Sequence, residues 1–257
     1  MAMSEKLSIC VICKNEADRI GECLDAASCL SDDLVVVDSG STDATVEIAR
    51  SKGARVIFNP WNGYGPQKRF SEDQARNDWI LNLDADEVLT TSICSEIQDI
   101  LQRGPEYPAY RLKIMTIYPG KTAPRFLADY NNYVRLYDRR RVRFRDSPVH
   151  DTVDIGSFAA GQLKGPVWHF SARSFAHIKQ KLDAYTDLQA RTLRKRRWVI
   201  AARLPFEYFF VFMRYYLARR HFTGGWDGIV SSHLAAESRF MRLLKMWPVR
   251  ERGQTDP

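Results

Sequence analysis

At 257 residues, with 45% hydrophobic and 12% aromatic side chains, the chain holds enough apolar material for one generous α/β domain, or a core with an added tail, and this excludes disorder throughout. The net charge of +7 is unevenly placed: residues 191–257 carry 14 Lys and Arg against 5 Asp and Glu, the first 190 carry 24 against 26. A near-neutral body with a basic last quarter implies an anionic partner for that quarter, either a membrane surface or nucleic acid.

The first hundred residues alternate strand and helix signals. Leu7–Cys13 is a short apolar run of the kind that forms a buried parallel strand, and Asn15 or a neighbour is placed to cap a helix with Ile20, Leu24 and Ala27 on one face. Leu34–Val37 reads as a second strand, and Ser41-Thr42-Asp43 supplies cap chemistry for a helix that Gly53 stops. Arg55–Phe58 reads as a third strand, followed by a turn-rich loop and a polar helix over 67–76; Trp79–Leu83 is a fourth, running into Asp84-Ala85-Asp86-Glu87. A helix over 91–102 turns Ile93, Ile97, Ile100 and Leu101 inwards, and beyond it Tyr110–Ile117 and Tyr133–Tyr137 alternate like added mixed or antiparallel strands.

This order predicts an α/β, Rossmann-like, mostly parallel sheet with flanking helices, plus a basic C-terminal helical extension. Residues 1–175 form the expected nucleotide-binding and catalytic domain and residues 176–257 the helical region. The five cysteines (Cys10, Cys13, Cys23, Cys29, Cys94) are odd in number, and no secretory signal precedes the first strand, so a reduced cytoplasmic protein is expected. Cys10 and Cys13 form a C-x-x-C, but they lie in a β-branched run with no second pair at zinc spacing, which favours core packing over a metal or redox pair.

Ligands of such sheets bind at the carboxyl ends of the strands, where three polar clusters fall: Lys14-Asn15-Glu16, Asp38-Ser39-Gly40-Ser41 and Asp84-Ala85-Asp86. Two carboxylates one residue apart can share a hard divalent cation, Mg²⁺ or Mn²⁺, which in turn bridges a diphosphate. By itself D-x-D also fits a solvated turn; its place at a strand end favours the ligand-binding reading.

Ile12-Cys13-Lys14-Asn15-Glu16, Val37-Asp38-Ser39-Gly40-Ser41-Thr42-Asp43, Gly65-Pro66-Gln67-Lys68 and Leu83-Asp84-Ala85-Asp86-Glu87 resemble, in order and spacing, the motifs of family 2 glycosyltransferases, and most of all the lipopolysaccharide core β-glucosyltransferases that extend inner-core heptose. The resemblance covers about residues 7–170. It implies a GT-A fold, an inverting transferase, a nucleotide diphosphate sugar and a divalent metal. Residue by residue, it implies that Lys14, Asn15 and Glu16 line the nucleotide pocket and that Asp38, with Ser39 and Gly40, reads uracil or ribose. It places Gln67 and Lys68 by the donor or its phosphates, Asp84 on ribose or a metal-bound water, and Asp86 on the metal. The other reading of Asp38 is an N-cap of the following helix, a role Ser41 could fill instead, which favours the ligand-binding reading.

An inverting transferase needs a base for the acceptor hydroxyl, and Val149-His150-Asp151 lies in a loop suited to it. Related transferases read Val-His-Glu there, so Asp151 is the expected base with its carboxylate about one methylene displaced, and His150 either orients it or contacts acceptor. His169, flanked by Trp168 and Phe170, is either a hydrogen-bonded structural residue or a further metal ligand. The run Arg139–Arg145 alternates so that Arg141, Arg143 and Arg145 share one strand face, either solvated or a patch for acceptor phosphates.

In the tail, Pro205–Ala218 is apolar but interrupted by Glu207 and Arg214, too short for the roughly 20 residues of a membrane span. An Arg-rich helix with Trp, Phe and Tyr suits a membrane interface, placing the protein on the inner face of the cytoplasmic membrane; packing on the core is the other reading, and no nucleic-acid module is present. Gly224-Gly225-Trp226-Asp227-Gly228 is expected to break the helices as a loop. The expected donor is a UDP-sugar, first UDP-glucose, and the acceptor a lipopolysaccharide core or other lipid-linked or anionic surface glycan. A polyprenyl-phosphate sugar transferase and a non-catalytic nucleotide- or membrane-binding protein are the alternatives.

Overall fold

A computed structural model describes residues 5–147, 151–192 and 197–247. The chain divides into two compact units, Met1–Thr116 with Tyr130–Ser171, and Ile117–Asp129 with Ala172–Pro257.

The first unit is built on strands β1 (Leu7–Cys13), β2 (Leu34–Asp38), β3 (Arg55–Phe58), β4 (Trp79–Asp84), β5 (Glu87–Leu89), β6 (Ala109–Thr116) and β7 (Asn131–Asp138), a short pair β8 (Arg143–Phe144) and β9 (Val153–Asp154), and β10 (Gly161–His169). Eight of them form one sheet in the order β3-β2-β1-β4-β7-β6-β10-β5. The β3-β2-β1-β4 half is parallel; β7 runs antiparallel to β4 and β6, β10 returns parallel to β6, and β5 closes the edge antiparallel to β10. The alternating segments read from Tyr110 and Tyr133 are therefore added strands of the same sheet.

Every residue of β1 is buried because the sheet is covered on both faces, which is why its sequence is a continuous apolar run. Ile9, Val11 and Cys13 face a core built with α1 (Ile20–Ala27), α2 (Thr45–Ser51) and α4 (Thr91–Arg103), whereas Cys10 and Ile12 face the opposite core with Phe144 and with Phe70 of α3 (Tyr64–Asp73). Residues three apart on a strand point to opposite faces, so Cys10 and Cys13 never meet. Both are buried and unpaired, and burial pushes both thiols far above their ordinary range, as core residues rather than reactive ones.

Two caps differ from expectation. Arg19, not Asn15, precedes α1, and no side chain caps that helix; Asn15 has left-handed backbone (φ 57°) and its side-chain Oδ1 accepts from Thr42 N at 2.8 Å. Of the Ser41-Thr42-Asp43 group, Asp43 serves α2, accepting from Thr45 N at 3.0 Å. The polar helix α3 begins at Tyr64, three residues earlier than predicted, and so includes the whole Gly65–Lys68 motif.

The second unit contains α5 (Phe175–Thr192), α6 (Arg197–Met213), a π-helical turn over Arg214–Ala218, a short 3₁₀ turn over His221–Gly224 and α7 (Gly225–Met246), with α7 packed on both α5 and α6. The expected glycine loop is narrower than predicted: Gly225, at φ 58°, opens the helix, and Trp226-Asp227-Gly228 already form its first turn. Gly228 has to be glycine, because a Cβ there would stand 1.8 Å from the His221 carbonyl oxygen. No helix among the described residues is long and apolar enough to cross a membrane.

Candidate active site

The carboxyl ends of β1, β2 and β4 are brought together by parallel pairing that sets Cys13 beside Asp38 and Ile12 beside Asp84. Asp84 ends β4 and its amide donates to Glu87 Oε2 at 3.0 Å, closing a tight turn that leaves Asp86 at the rim. Strand β10 then pairs with β5 so that His169 lies opposite Glu87. The consequence is a pair no local pattern reports: His169 Nε2 stands 3.3 Å from Asp86 Oδ1, while Arg19 reaches Asp86 Oδ2 at 3.2 Å and the Phe170 carbonyl at 2.8 Å.

Asp84 points elsewhere. Its Oδ1 is 2.8 Å from Lys68 Nζ and its Oδ2 is 2.7 Å from Arg135 Nη2. Lys68 is wholly buried and also lies 2.7 Å from Asp151 Oδ1, with its ammonium 5.0 Å from the centre of the Phe144 ring. Arg135, buried on β7, contacts Glu87 Oε1 at 3.0 Å and Asn82 Oδ1 at 3.2 Å, and its Nη1 is 3.9 Å from Asp151. Two buried cations thus join Asp84 and Asp151, residues from distant parts of the chain. Asp151 remains about a third exposed, so it faces both the cations and solvent.

The Gly65–Lys68 motif explains how this is assembled. Gly65 N donates to Ser147 O at 3.0 Å, and a Cβ on Gly65 would stand 2.1 Å from the Arg145 carbonyl oxygen and 2.6 Å from that of Ser147. Only glycine lets Arg145–Ser147 lie against α3, and one turn later Lys68 meets Asp151. Gly65→Ala should therefore displace Asp151. We expect destabilisation by about 1–3 kcal/mol in a urea titration. A fall in activity of up to about 100-fold is expected from a misplacement near 1 Å. An unchanged turnover would separate this contact from the site.

Gln67 serves a different purpose from the one predicted. It is fully buried, with Nε2 donating to Ser39 Oγ (3.0 Å) and Asn59 O (3.1 Å) and Oε1 accepting from Asn59 (2.7 Å), so it braces the Ser39 loop rather than facing a donor. In that loop Asp38 accepts from Gly40 N at 2.9 Å, Ser41 N at 3.0 Å and Ser41 Oγ at 2.5 Å, with Gly40 at φ 91°. Asp38 is therefore not the N-cap of α2 but the brace of its own turn. Glu16 is tied through its amide to Thr45 Oγ1 at 2.8 Å, and Lys14 is exposed at the rim. His150 lies outside the described residues.

Two parts of the site were not anticipated. Arg135 sits between Tyr133 and Tyr137 on alternate positions of β7, and with Tyr133 exposed no local pattern marked this arginine as turning inward. Arg19, three residues beyond the first motif, was not marked either. The run Arg139–Arg145 does not form one basic face: Arg143 is bound to Glu72 Oε2 and Asp73 Oδ1 at 2.6 Å each, Arg140 to Asp138 at 2.8 Å, Arg145 faces Asp154 at 3.6 Å, and Arg141 lies over the Phe158 ring. Intrachain partners absorb charges that the pattern alone left open for an acceptor.

The protonation states follow from these contacts. Burial would raise the Asp84 pKa, but Arg135 and then Lys68 outweigh it and hold the carboxyl far below its ordinary range. Burial raises Glu87, only partly offset by Arg135. Burial also opposes ionisation of Asp86, yet the hydrogen bond and charge of His169 lower its pKa; the same pair raises His169, against the burial that would lower it. The raised imidazole stabilises the fold fully below about pH 6.5 and loses that contribution as pH climbs through its higher folded-state value. The lowered Asp86 contributes above about pH 3.9 and loses it in acid. Without divalent cation, the melting temperature should thus fall above about pH 6.5, and His169→Gln should flatten that fall in a fluorimetric melt. A slope identical to wild type would contradict the pairing.

Asp86 and His169 offer a hard carboxylate and an imidazole, a donor set that suits Mn²⁺ or Mg²⁺ when the remaining positions come from phosphate and water. Among the described residues no group of three or more His, Cys, Asp and Glu is gathered for a metal, and both Asp84 oxygens face cations. Asp86 Oδ1 and His169 Nε2 are the donor pair that would suit a metal, with Arg19 on the other Asp86 oxygen, and Asp84 holds two cations.

Relatives align with nearly the whole chain. An "Uncharacterized glycosyltransferase" of Rickettsia bellii is 37% identical over 255 residues, covering 95% of this chain and 87% of that protein. The "Lipopolysaccharide core biosynthesis glycosyltransferase LpsC" of Rhizobium meliloti is 26% identical, covering 94% of this chain and 92% of its own. Among solved structures, glucosyl-3-phosphoglycerate synthase from Mycobacterium tuberculosis, in complex with Mn²⁺, UDP and glucosyl-3-phosphoglycerate, is 26% identical with a TM-score of 0.36 over 45% of each chain. The description "Glycosyl transferase family 2" matches residues 8–163, more than half of the chain and all of its strand-end motifs, and the protein is a GT-A-type glycosyltransferase of that family.

Proposed function

We propose that the chain moves a hexose, glucose as first candidate, from a UDP-sugar to a hydroxyl of a lipopolysaccharide core or similar anionic surface glycan, with inversion and with Mg²⁺ or Mn²⁺ as cofactor. The observation that carries the reading is the joining of Asp151 to Asp84 by buried Lys68 and Arg135, one residue from the Asp86–His169 pair. A relative named for lipopolysaccharide core biosynthesis, aligned over nearly the whole chain, supports the acceptor class.

In this reading the acceptor oxygen attacks the anomeric carbon as that carbon's bond to the diphosphate oxygen breaks. The hydroxyl proton passes to Asp151, the electron pair leaves with UDP, and a single displacement inverts the centre. Lys68 fixes where Asp151 stands, and the braced turn of Asp38 with Ser39 and Gly40 offers its edge to the nucleoside. A divalent cation, when bound at Asp86 and His169, supplies the positive charge that a departing diphosphate requires.

The test is UDP release from a panel of UDP-hexoses with a core oligosaccharide acceptor, with and without Mn²⁺. Acceptor-stimulated release from UDP-glucose is expected, and Asp86→Ala should reduce it by about 100-fold or more, the scale of losing one charge-stabilising group. Undiminished turnover in that variant would refute the metal assignment. No release from any UDP-hexose would refute the donor class.

A further inference from the structure

Helix α6 is amphipathic in the wrong sense for a helix of a water-exposed unit. Its packed side is Ile200, Glu207 and Val211, set against α7. At 100° per residue the opposite side carries Trp198, Phe206 and Phe209, with Phe210 on its flank, and these are 67%, 70%, 66% and 68% exposed. The helix's charged residues, Arg197, Arg203 and Glu207, all lie toward the packed side, and Arg203 is bound to Glu207 at 2.9 Å. The outward face is therefore aromatic and uncharged along the helix, where a soluble surface helix places Lys and Glu.

The surrounding charge says what covers it. Residues 117–129 and 172–257 together hold 19 Lys and Arg against 8 Asp and Glu, net +11, while the rest of the chain holds 19 against 23. Exposed Arg214, Arg219 and Arg220 follow the helix directly. A second copy of a unit so charged is repelled, whereas an anionic lipid surface is attracted, and Trp and Phe side chains are those that settle at the headgroup boundary. We propose that the outer face of α6 docks on an anionic lipid surface, Trp198, Phe206 and Phe209 entering the headgroup boundary while arginines of the same unit hold the phosphates.

The experiment floats the full-length protein with vesicles of equimolar phosphatidylcholine and phosphatidylglycerol. Wild type should rise with them at low salt, rise less at high salt, and rise little with phosphatidylcholine alone. Phe206→Ser with Phe209→Ser should weaken partitioning by at least about tenfold without changing the melting temperature, since both rings are exposed. Trp198→Ala, two turns away on the same side, should weaken it in the same direction. The proposal is overturned if wild type stays behind at low salt, or if these variants float like wild type. It is also overturned if sedimentation shows a lipid-indifferent dimer that the substitutions split. Flotation reads no sugar transfer, so its failure would leave the proposed activity standing.

Discussion

Asp151→Asn should lower sugar transfer by about 10²- to 10⁴-fold, the range that a positioned proton acceptor contributes, while UDP binding stays close to wild type. The amide keeps the shape of the carboxylate but takes no proton from an acceptor hydroxyl. Among the described residues Asp151 is joined to Asp84 through Lys68 and, at 3.9 Å, Arg135 rather than to the Asp86–His169 pair. Single-turnover transfer measured beside UDP titration by calorimetry distinguishes the two effects. A variant that transfers at the wild-type rate would move the base elsewhere, and one that loses UDP binding equally would make Asp151 a scaffold residue.

Arg135→Met should destabilise the protein by about 3–5 kcal/mol, as removal of one member of a buried ion cluster does. The guanidinium contacts Asp84, Glu87 and Asn82, and Glu87 is almost wholly buried. Without it, Glu87 has lost its principal cation and its carboxyl rises further. A raised carboxyl favours folding below its unfolded value of about 4.3 and costs stability as pH rises above it. Urea unfolding at pH 5 and pH 8 should therefore show the larger loss at pH 8. An equal loss of under about 1 kcal/mol, the range of an exposed pair, at both values would show that the cluster is not interdependent.

Asp84 and Asp86 stood out because they end an apolar strand, whereas Lys68 was singled out only by the resemblance, as a donor contact, and is buried against Asp84 and Asp151 instead. Asp151 was the expected base from its loop position and from the resemblance together, and His150 lies outside the described residues. Gln67 had the right position and a different partner: its motif predicted a ligand contact, while burial turned its amide to Ser39 and Asn59. The arginines of 139–145 read as a surface patch because alternation says which face a side chain takes, not what waits there.

The amino-acid order sufficed for the parallel β1–β4 half, for the covered sheet and for three polar clusters at one edge, because those depend on apolar periodicity and on which residues break it. Insertion of β7 between β4 and β6 lies beyond such signals, and with it the burial of Arg135 against Asp84. Pairing of β10 with β5 likewise brings His169 to Asp86 across a register that neither strand announces. The Asp84-Ala85-Asp86 motif is thus divided by its tertiary neighbours: charge density from Lys68 and Arg135 holds the first carboxylate, and an imidazole from the last strand, with Arg19, holds the second.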